Sequence, residues 1–183
     1  MILSILIPTI KERASSLQGL LNELNHQCGI LTLIRPPNGF YEIVTDDATK
    51  FLDGGPSIGK KRESLVQRAK GKYLCFLDDD ESIAPNYLET LIRLCHQDKD
   101  VCTFRNISKL ETYWMIVDMG LHYVNEQARP GVIHRKPWHI CPVRSEFAKK
   151  FPFDNSNYGE DWAWMEKVLS LCKTEAKSDA IIH

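Results

Sequence analysis

The stretch that most limits what this chain can become is Tyr73-Leu74-Cys75-Phe76-Leu77, five apolar residues that run straight into Asp78-Asp79-Asp80. A strand without polar alternation is covered on both faces, the condition of a strand inside a largely parallel sheet flanked by helices. The three carboxylates behind it repel one another, and a divalent cation with a preference for oxygen would neutralise them. In open α/β sheets ligands bind beyond the carboxyl ends of the strands, so the triplet marks a candidate site as well as a strand end. The competing reading is a solvated acidic turn ahead of a helix, where the dipole favours Asp and Glu.

The surrounding pattern supports an α/β sheet. Leu3 to Ile7 is a second buried run, closed by Pro8, and the apparent capping box Ser15/Gln18 with Leu17, Leu20, Leu21 and Leu24 predicts a helix. Ile30 to Ile34 and Tyr41 to Thr45 read as strands around the turn Pro36-Pro37-Asn38-Gly39, the second ending in Asp46-Asp47. Ile58, Leu65, Val66 and Ala69 share one helix face, and Pro85 suits the first turn of a helix bearing Leu88, Leu91, Ile92 and Cys95. Val101 to Phe104 is the next strand. Further strands are expected at Tyr113 to Val117, Gly131 to His134 and Ala180 to His183, with a helix from Asp161 on. With 183 residues this makes one domain. Strand and helix alternate through residues 1–104 and the rhythm loosens over 105–183, so the domain is expected to have two halves with that boundary.

Charge narrows the partners. With 23 Lys+Arg against 24 Asp+Glu the net charge is -1, which removes the usual footprint of a nucleic-acid binder. Ile5-Leu6-Ile7 is too short for a signal peptide or a membrane span, so a soluble, cytoplasmic protein with no transmembrane segment is expected. The six cysteines contain no CxxC pair and read as buried thiols.

Two local motifs compete for the loop before residue 60. Gly54 to Lys60 fits a phosphate-binding GxxxxGK, but Lys61 stands where Ser or Thr would ligate magnesium. Gly55-Pro56-Ser57-Ile58-Gly59 fits a hydrolase nucleophile elbow, with His122, His134 or His139 as base, yet no strand leads into it. A Gly/Pro turn in which Ser57 caps the helix accounts for both. Farther on, Gly159-Glu160-Asp161 puts two carboxylates in the first turn of a helix, where the dipole favours the ionised form that a general base needs. Simple N-terminal capping is the bland alternative.

Taken in order, Ile7-Pro8-Thr9, Asp46-Asp47, Gly59-Lys60-Lys61-Arg62, Phe76-Leu77-Asp78-Asp79-Asp80 and Gly159-Glu160-Asp161 resemble the motif series of a GT-A glycosyltransferase, close to glycosyltransferase family 2. The resemblance covers nearly the whole chain. It implies a Rossmann-like, mostly parallel sheet and an inverting transfer of sugar from a nucleotide-sugar, with a UDP-sugar the expected donor, to a hydroxyl of a glycan or other acceptor. By the same resemblance Pro8, Thr9, Asp46 and Asp47 grip the base, Arg62 lies near base and phosphates, and Lys60 assists. Asp78, Asp79 and Asp80 form the DxD segment, with Asp78 near the ribose. Asp80, together with Asp78, would ligate Mn2+ or Mg2+, and His183 would complete the shell. Asp161 matches the catalytic base with Glu160 beside it, while Trp138, His139 and Trp162 fall on the acceptor side. Glu63 departs from the pattern, since Asn usually follows the arginine. The chain is short for the fold, so further domains of a longer polypeptide are among its expected partners. A non-catalytic nucleotide-sugar or metal-binding module, and a serine hydrolase using Ser57, are the alternatives.

Overall fold

The computed structural model describes residues 1–34, 40–46, 56–110 and 113–183. Their order is β1 (Leu3–Ile7), a 3-10 turn (Lys11–Arg13), α1 (Ala14–Ile34), β2 (Tyr41–Thr45), α2 (Ile58–Arg68), β3 (Tyr73–Phe76), α3 (Tyr87–Cys95), β4 (Val101–Leu110) and β5 (Tyr113–Met119). Then come β6 (Glu126–Arg129), β7 (Val132–Arg135), β8 (Val143–Arg144), α4 (Ser145–Ala148), α5 (Glu160–Leu169) and β9 (Glu175–Ile181).

One mixed sheet collects the strands in the order β2-β1-β3-β8-β4-β5-β7-β6, with β9 paired to β4. The apolar runs lie at its centre as their composition requires: β1 and β3 are buried along their whole length. On this core pack Leu20 and Leu24 of α1, Leu65 and Val66 of α2, Leu88, Leu91 and Leu94 of α3, and Trp164, Met165 and Val168 of α5.

Register is what makes a site. Strands β1, β2 and β3 run parallel, with Ile7 opposite Thr45 and Leu6 opposite Phe76. Their carboxyl ends therefore stop at one level, and Thr9, Asp46 and Asp78 to Asp80 emerge together. The antiparallel pair β4/β5, with Arg105 opposite Asp118 through Leu110 opposite Tyr113, forms the neighbouring wall. Residue 104 lies inside β4, so the expected division of the chain into halves falls within a strand.

Several local expectations are corrected. The stretch Ile30 to Ile34 is the last part of α1, not a strand, because the apolar spacing of Leu24, Cys28 and Leu31 continues the helical period past Gly29. The Ser15 capping box does not form, since the chain enters α1 from a 3-10 turn and Ser15 already lies inside the helix. Helix α3 begins at Tyr87, after Pro85. Its start is held from α1, where Gln27 accepts from the Leu88 N–H at 3.0 Å and donates to the Ala84 carbonyl at 2.9 Å. The last strand starts at Glu175, five residues before the apolar tail suggests. Cys75, Cys95, Cys102 and Cys141 are buried free thiols.

Candidate active site

The site begins with Thr9 on the loop after β1. Its N–H donates to Asp46 Oδ1 at 2.8 Å and its hydroxyl to Asp79 Oδ2 at 2.6 Å, which ties the ends of all three parallel strands into one knot. Lys61 is buried beneath that knot, with Nζ donating to the Thr9 carbonyl at 2.9 Å and lying 3.8 Å from Asp46 Oδ2. Burial pushes the Asp46 carboxyl up, against the lowering effect of the Thr9 N–H and of Lys61. Asp47 lies outside the described residues.

The DxD carboxylates divide their duties. Asp79 is 2% exposed and, with Thr9 and Arg13 as partners, braces the loop. Asp78 and Asp80 are accessible, Asp78 meeting Arg62 Nη2 at 3.1 Å and Asp80 meeting Arg13 Nη1 at 3.0 Å. Pro8, Thr9, Arg13, Ile58, Arg62, Asp78 and Asn157 line an open cleft of about 320 Å³.

Helix α2 delivers its residues in alternation. Ser57 is its N-cap, accepting from the Lys60 N–H at 3.2 Å and donating to Asn155 Oδ1 at 2.7 Å. Among the described residues no histidine bonds its hydroxyl, so the capping role replaces the nucleophile. Lys60 is exposed and Lys61 turns inward, so Lys61 is the lysine that reaches the Thr9 loop. Arg62, also buried, lies over the Phe76 ring and joins Asp78 to Glu160 Oε1, the latter at 3.2 Å. Glu160 is thus a buried counter-ion of Arg62.

The segment before α5 is carried on the start of α2. Gly59 donates to the Ser156 carbonyl at 3.0 Å, the Ile58 N–H donates to Asn157, and a Cβ on Gly59 would strike the Asp154 carbonyl. Gly159, at φ 74°, then turns the chain into α5 through the left-handed region that favours glycine. This presents Asp161 at the mouth of the site. Its Oδ1 accepts the Trp162 N–H at 2.8 Å and its Oδ2 the Trp138 Nε1–H at 3.0 Å. His139 Nδ1 lies 2.9 Å from Oδ2 in an ion-pair contact without hydrogen-bond alignment, and its Nε2 is 3.9 Å from Asp78 Oδ2. Burial pushes the Asp161 carboxyl up, but His139, the Trp162 N–H and Arg62 outweigh it and hold the group well below the ordinary carboxylate range. Asp161 is therefore ionised at neutral pH.

Trp138 and His139 owe their position to the connection between β7 and β8, where the Phe76 N–H donates to the His139 carbonyl at 2.9 Å. Both expected acceptor-side residues touch the carboxylate of Asp161 itself. Trp162, 57% exposed, lines a narrow crevice of about 10 Å³ with Asp161, Arg135 and Trp138. A third, of about 310 Å³, lies between the β4/β5 wall and His139, lined also by Glu81, Asn106, Ser108 and His183.

His183 does not meet Asp80 in a preformed cage. Its Nε2 lies 2.9 Å from Glu81 Oε2, which also accepts the Asp78 N–H at 3.0 Å. Among the described residues no three His, Cys, Asp or Glu side chains converge to hold a metal ion. Accessible carboxylates at Asp78 and Asp80 nevertheless suit a hard cation such as Mg2+ or Mn2+, which is commonly held by one or two carboxylates together with substrate phosphates. The donor set fits a cation that arrives with a diphosphate.

Sequence reasoning passed over Arg13, Lys61, Glu81 and Arg135. Arg13 follows the Pro-Thr motif by only four residues, and Glu81 extends the acidic run by one. Lys61 lies inside the Gly59-Lys60-Lys61-Arg62 motif, where the assisting role is expected of Lys60, and Arg135 carries no motif signal.

Parallel strand ends that converge on an acidic triplet, under a mixed sheet flanked by helices, define a GT-A-like transferase fold. The sequence model for glycosyl transferase family 2 matches residues 56–151, more than half of the chain, and the chain belongs to that family. Among solved structures it is similar to S. aureus TarS 1-349, at 15% identity and a TM-score of 0.66, over 100% of this chain and 59% of that one. TarS 1-349 in complex with UDP gives 16% identity and a TM-score of 0.70, again over 100% and 59%. TarS 1-349 in complex with UDP-GlcNAc gives 14% and 0.65, over 100% and 57%. At such identities the likeness is one of fold. The chain spans less than two thirds of the length of these relatives. A comparison with curated protein sequences finds no match. Among the described residues no helix is long and apolar enough to cross a membrane.

Proposed function

We propose that the chain carries the donor site and the general base of an inverting glycosyltransferase that uses a UDP-sugar. The observation that carries this reading is the placement of Asp161: ionised, with His139 standing between it, at 2.9 Å, and Asp78, at 3.9 Å, on the lining of the Thr9/Arg62 cleft. The base thus stands one imidazole away from the donor cleft, and transfer with inversion demands a base on the acceptor's side. A hydroxyl must lose its proton on one side of the anomeric carbon while the diphosphate leaves from the other.

The residues divide that work. Thr9 and Asp46 hold the nucleobase, and Pro8 and Ile58 give it an apolar bed. Arg62, its charge anchored by Glu160, offers Nη2 at the side of Asp78 where the diphosphate would lie. A cation aimed at charge that grows in the transition state is a large catalytic contribution. Asp161 takes the acceptor proton through a free lone pair of its carboxylate. The N–H groups of Trp138 and Trp162 fix the orientation of that carboxylate. Mn2+ or Mg2+ would be held by Asp80 and Asp78, with His183 at hand, and would supply further charge neutralisation on the diphosphate. That the TarS structures include complexes with UDP and UDP-GlcNAc supports the choice of a UDP-sugar.

Calorimetric titration and a thermal melt test the reading. UDP with Mn2+ should bind and raise Tm, at a hundredfold excess over Kd by about 2.7 kcal/mol of added stability. Asp80→Ala should reduce that shift. Asp161→Asn should keep UDP binding nearly intact and abolish transfer from a UDP-sugar. Transfer that survives Asp161→Asn would refute the base assignment, and an absence of UDP binding would refute the donor site.

A further inference from the structure

Arg135, the last residue of β7, stands out on charge. Among the described residues the other partly or fully buried arginines all meet carboxylates: Arg62 meets Asp78 and Glu160, Arg105 meets Asp118 and Asp179, and Arg144 meets Asp98, Asp100 and Glu146. Arg135 has no carboxylate within ion-pair distance there, and among the described residues no acceptor takes its side-chain N–H groups. Its guanidinium stacks over the Trp138 ring, whose own N–H is committed to Asp161. Burial without a counter-ion pushes it down to about 10, with Asp161 opposing from beyond ion-pair distance, so it remains charged at neutral pH. A half-buried guanidinium without an anion leaves part of its desolvation uncompensated, and a bound anion would offset that cost.

The position says whose anion. Arg135 lines both the small cleft beside Asp161 and the larger one beside Glu81 and His183. Neither includes any residue of the Thr9/Arg62 cleft. The diphosphate side already has Arg13 and Arg62. Lys136, the next residue, is occupied by Glu166 at 3.3 Å, while Lys109 on β4 adds a second cation at the rim of the larger cleft.

We propose that Arg135 is a binding residue for an oxyanion, a phosphate or carboxylate, carried by the acceptor, and that it thereby sets the acceptor hydroxyl against Asp161. The planar fork of donors suits bidentate oxyanion recognition, and stacking on Trp138 pre-orients it. This inference rests on the reading of Asp161 as the base, and it makes the acceptor an anionic alcohol.

The test uses the 15N-labelled chain saturated with UDP and Mn2+, so that the donor cleft is filled. Glycerol and glycerol 3-phosphate are titrated in turn, and the Trp138 indole N–H signal, identified by Trp138→Phe, is followed. Glycerol 3-phosphate should move that signal with a Kd at least about tenfold lower than glycerol, weakening as salt rises. Arg135→Gln should erase the preference, a loss of about tenfold to a hundredfold for a charged hydrogen-bonded contact. Arg135→Lys should keep part of it, and both variants should bind UDP as before. Equal response to the two alcohols, or a preference that survives Arg135→Gln, overturns the inference. A parallel arm compares UDP-glucuronate with UDP-glucose. An Arg135-dependent preference for the glucuronate assigns the anion to the donor sugar and overturns the acceptor assignment. Failure of UDP itself to bind falls on the proposed function instead, so the two failures are distinguishable.

Discussion

At the scale of single residues, the strength of the proposed base is set by its neighbours. Asp161 is buried enough to be pushed up, yet His139 at 2.9 Å helps to keep it well below the ordinary range. His139→Asn removes that partner, so the Asp161 pKa rises toward the usual value. The acidic limb of the transfer rate against pH should then move to higher pH, with UDP binding little changed, and a pH profile of kcat checks it. An unmoved limb would mean that the imidazole does not tune the base. Asp161 and the DxD carboxylates were legible in the sequence because each follows a strand or opens a helix, where chain direction alone aims a side chain. Lys61 and Arg135 were not. The phase of α2 decides which of two adjacent lysines turns inward, and only the pairing of β7 with β5 brings Arg135 beside Asp161.

Elements carry the next level of constraint. The contact between the start of α2 and residues 154–157 works because Gly59 has no side chain. Gly59→Ala forces a methyl group against the Asp154 backbone, and overpacking of this kind costs about 1–3 kcal/mol. Tm should fall by several degrees, and transfer should suffer as the approach to Asp161 shifts. Gly19 in α1 is the control, since a Cβ there meets nothing within 4 Å. Gly19→Ala should raise stability by about 0.5–1 kcal/mol through helix propensity, leaving UDP binding unchanged. Differential scanning calorimetry on the two variants separates the cases. Element types were legible wherever the apolar period was unambiguous, as in β1, β3 and α5. Ile30 to Ile34 misled because four apolar residues around Thr32 fit a buried strand as well as a helix end, and the continuation of the Leu24, Cys28 and Leu31 spacing decides between them.

For the molecule as a whole, ion pairs across the sheet set the response to acid. Burial pushes Asp161, Asp118 and Glu81 up, yet all three end below their ordinary values. His139 is the main opposing partner of Asp161, Lys177 and Arg105 act on Asp118, and His183 acts on Glu81. A carboxyl depressed in the folded state contributes stability that is complete above its unfolded pKa, about 4, and that is lost as pH falls through the folded value. Urea midpoints should therefore hold steady from neutrality down to about pH 5 as far as these groups are concerned, and drop below about pH 4. Asp118→Asn should flatten that drop while lowering stability at neutral pH by about 1–3 kcal/mol, because Lys177 and Arg105 lose a buried partner. The guanidinium of Arg62, held between Asp78 and Glu160, bears on inheritance as well as on chemistry. A gene recombined near its midpoint would draw the arginine from one parent and the glutamate from the other. Such a hybrid keeps the buried charges balanced only where the two parents supply a matched pair, since either group buried without the other is costly.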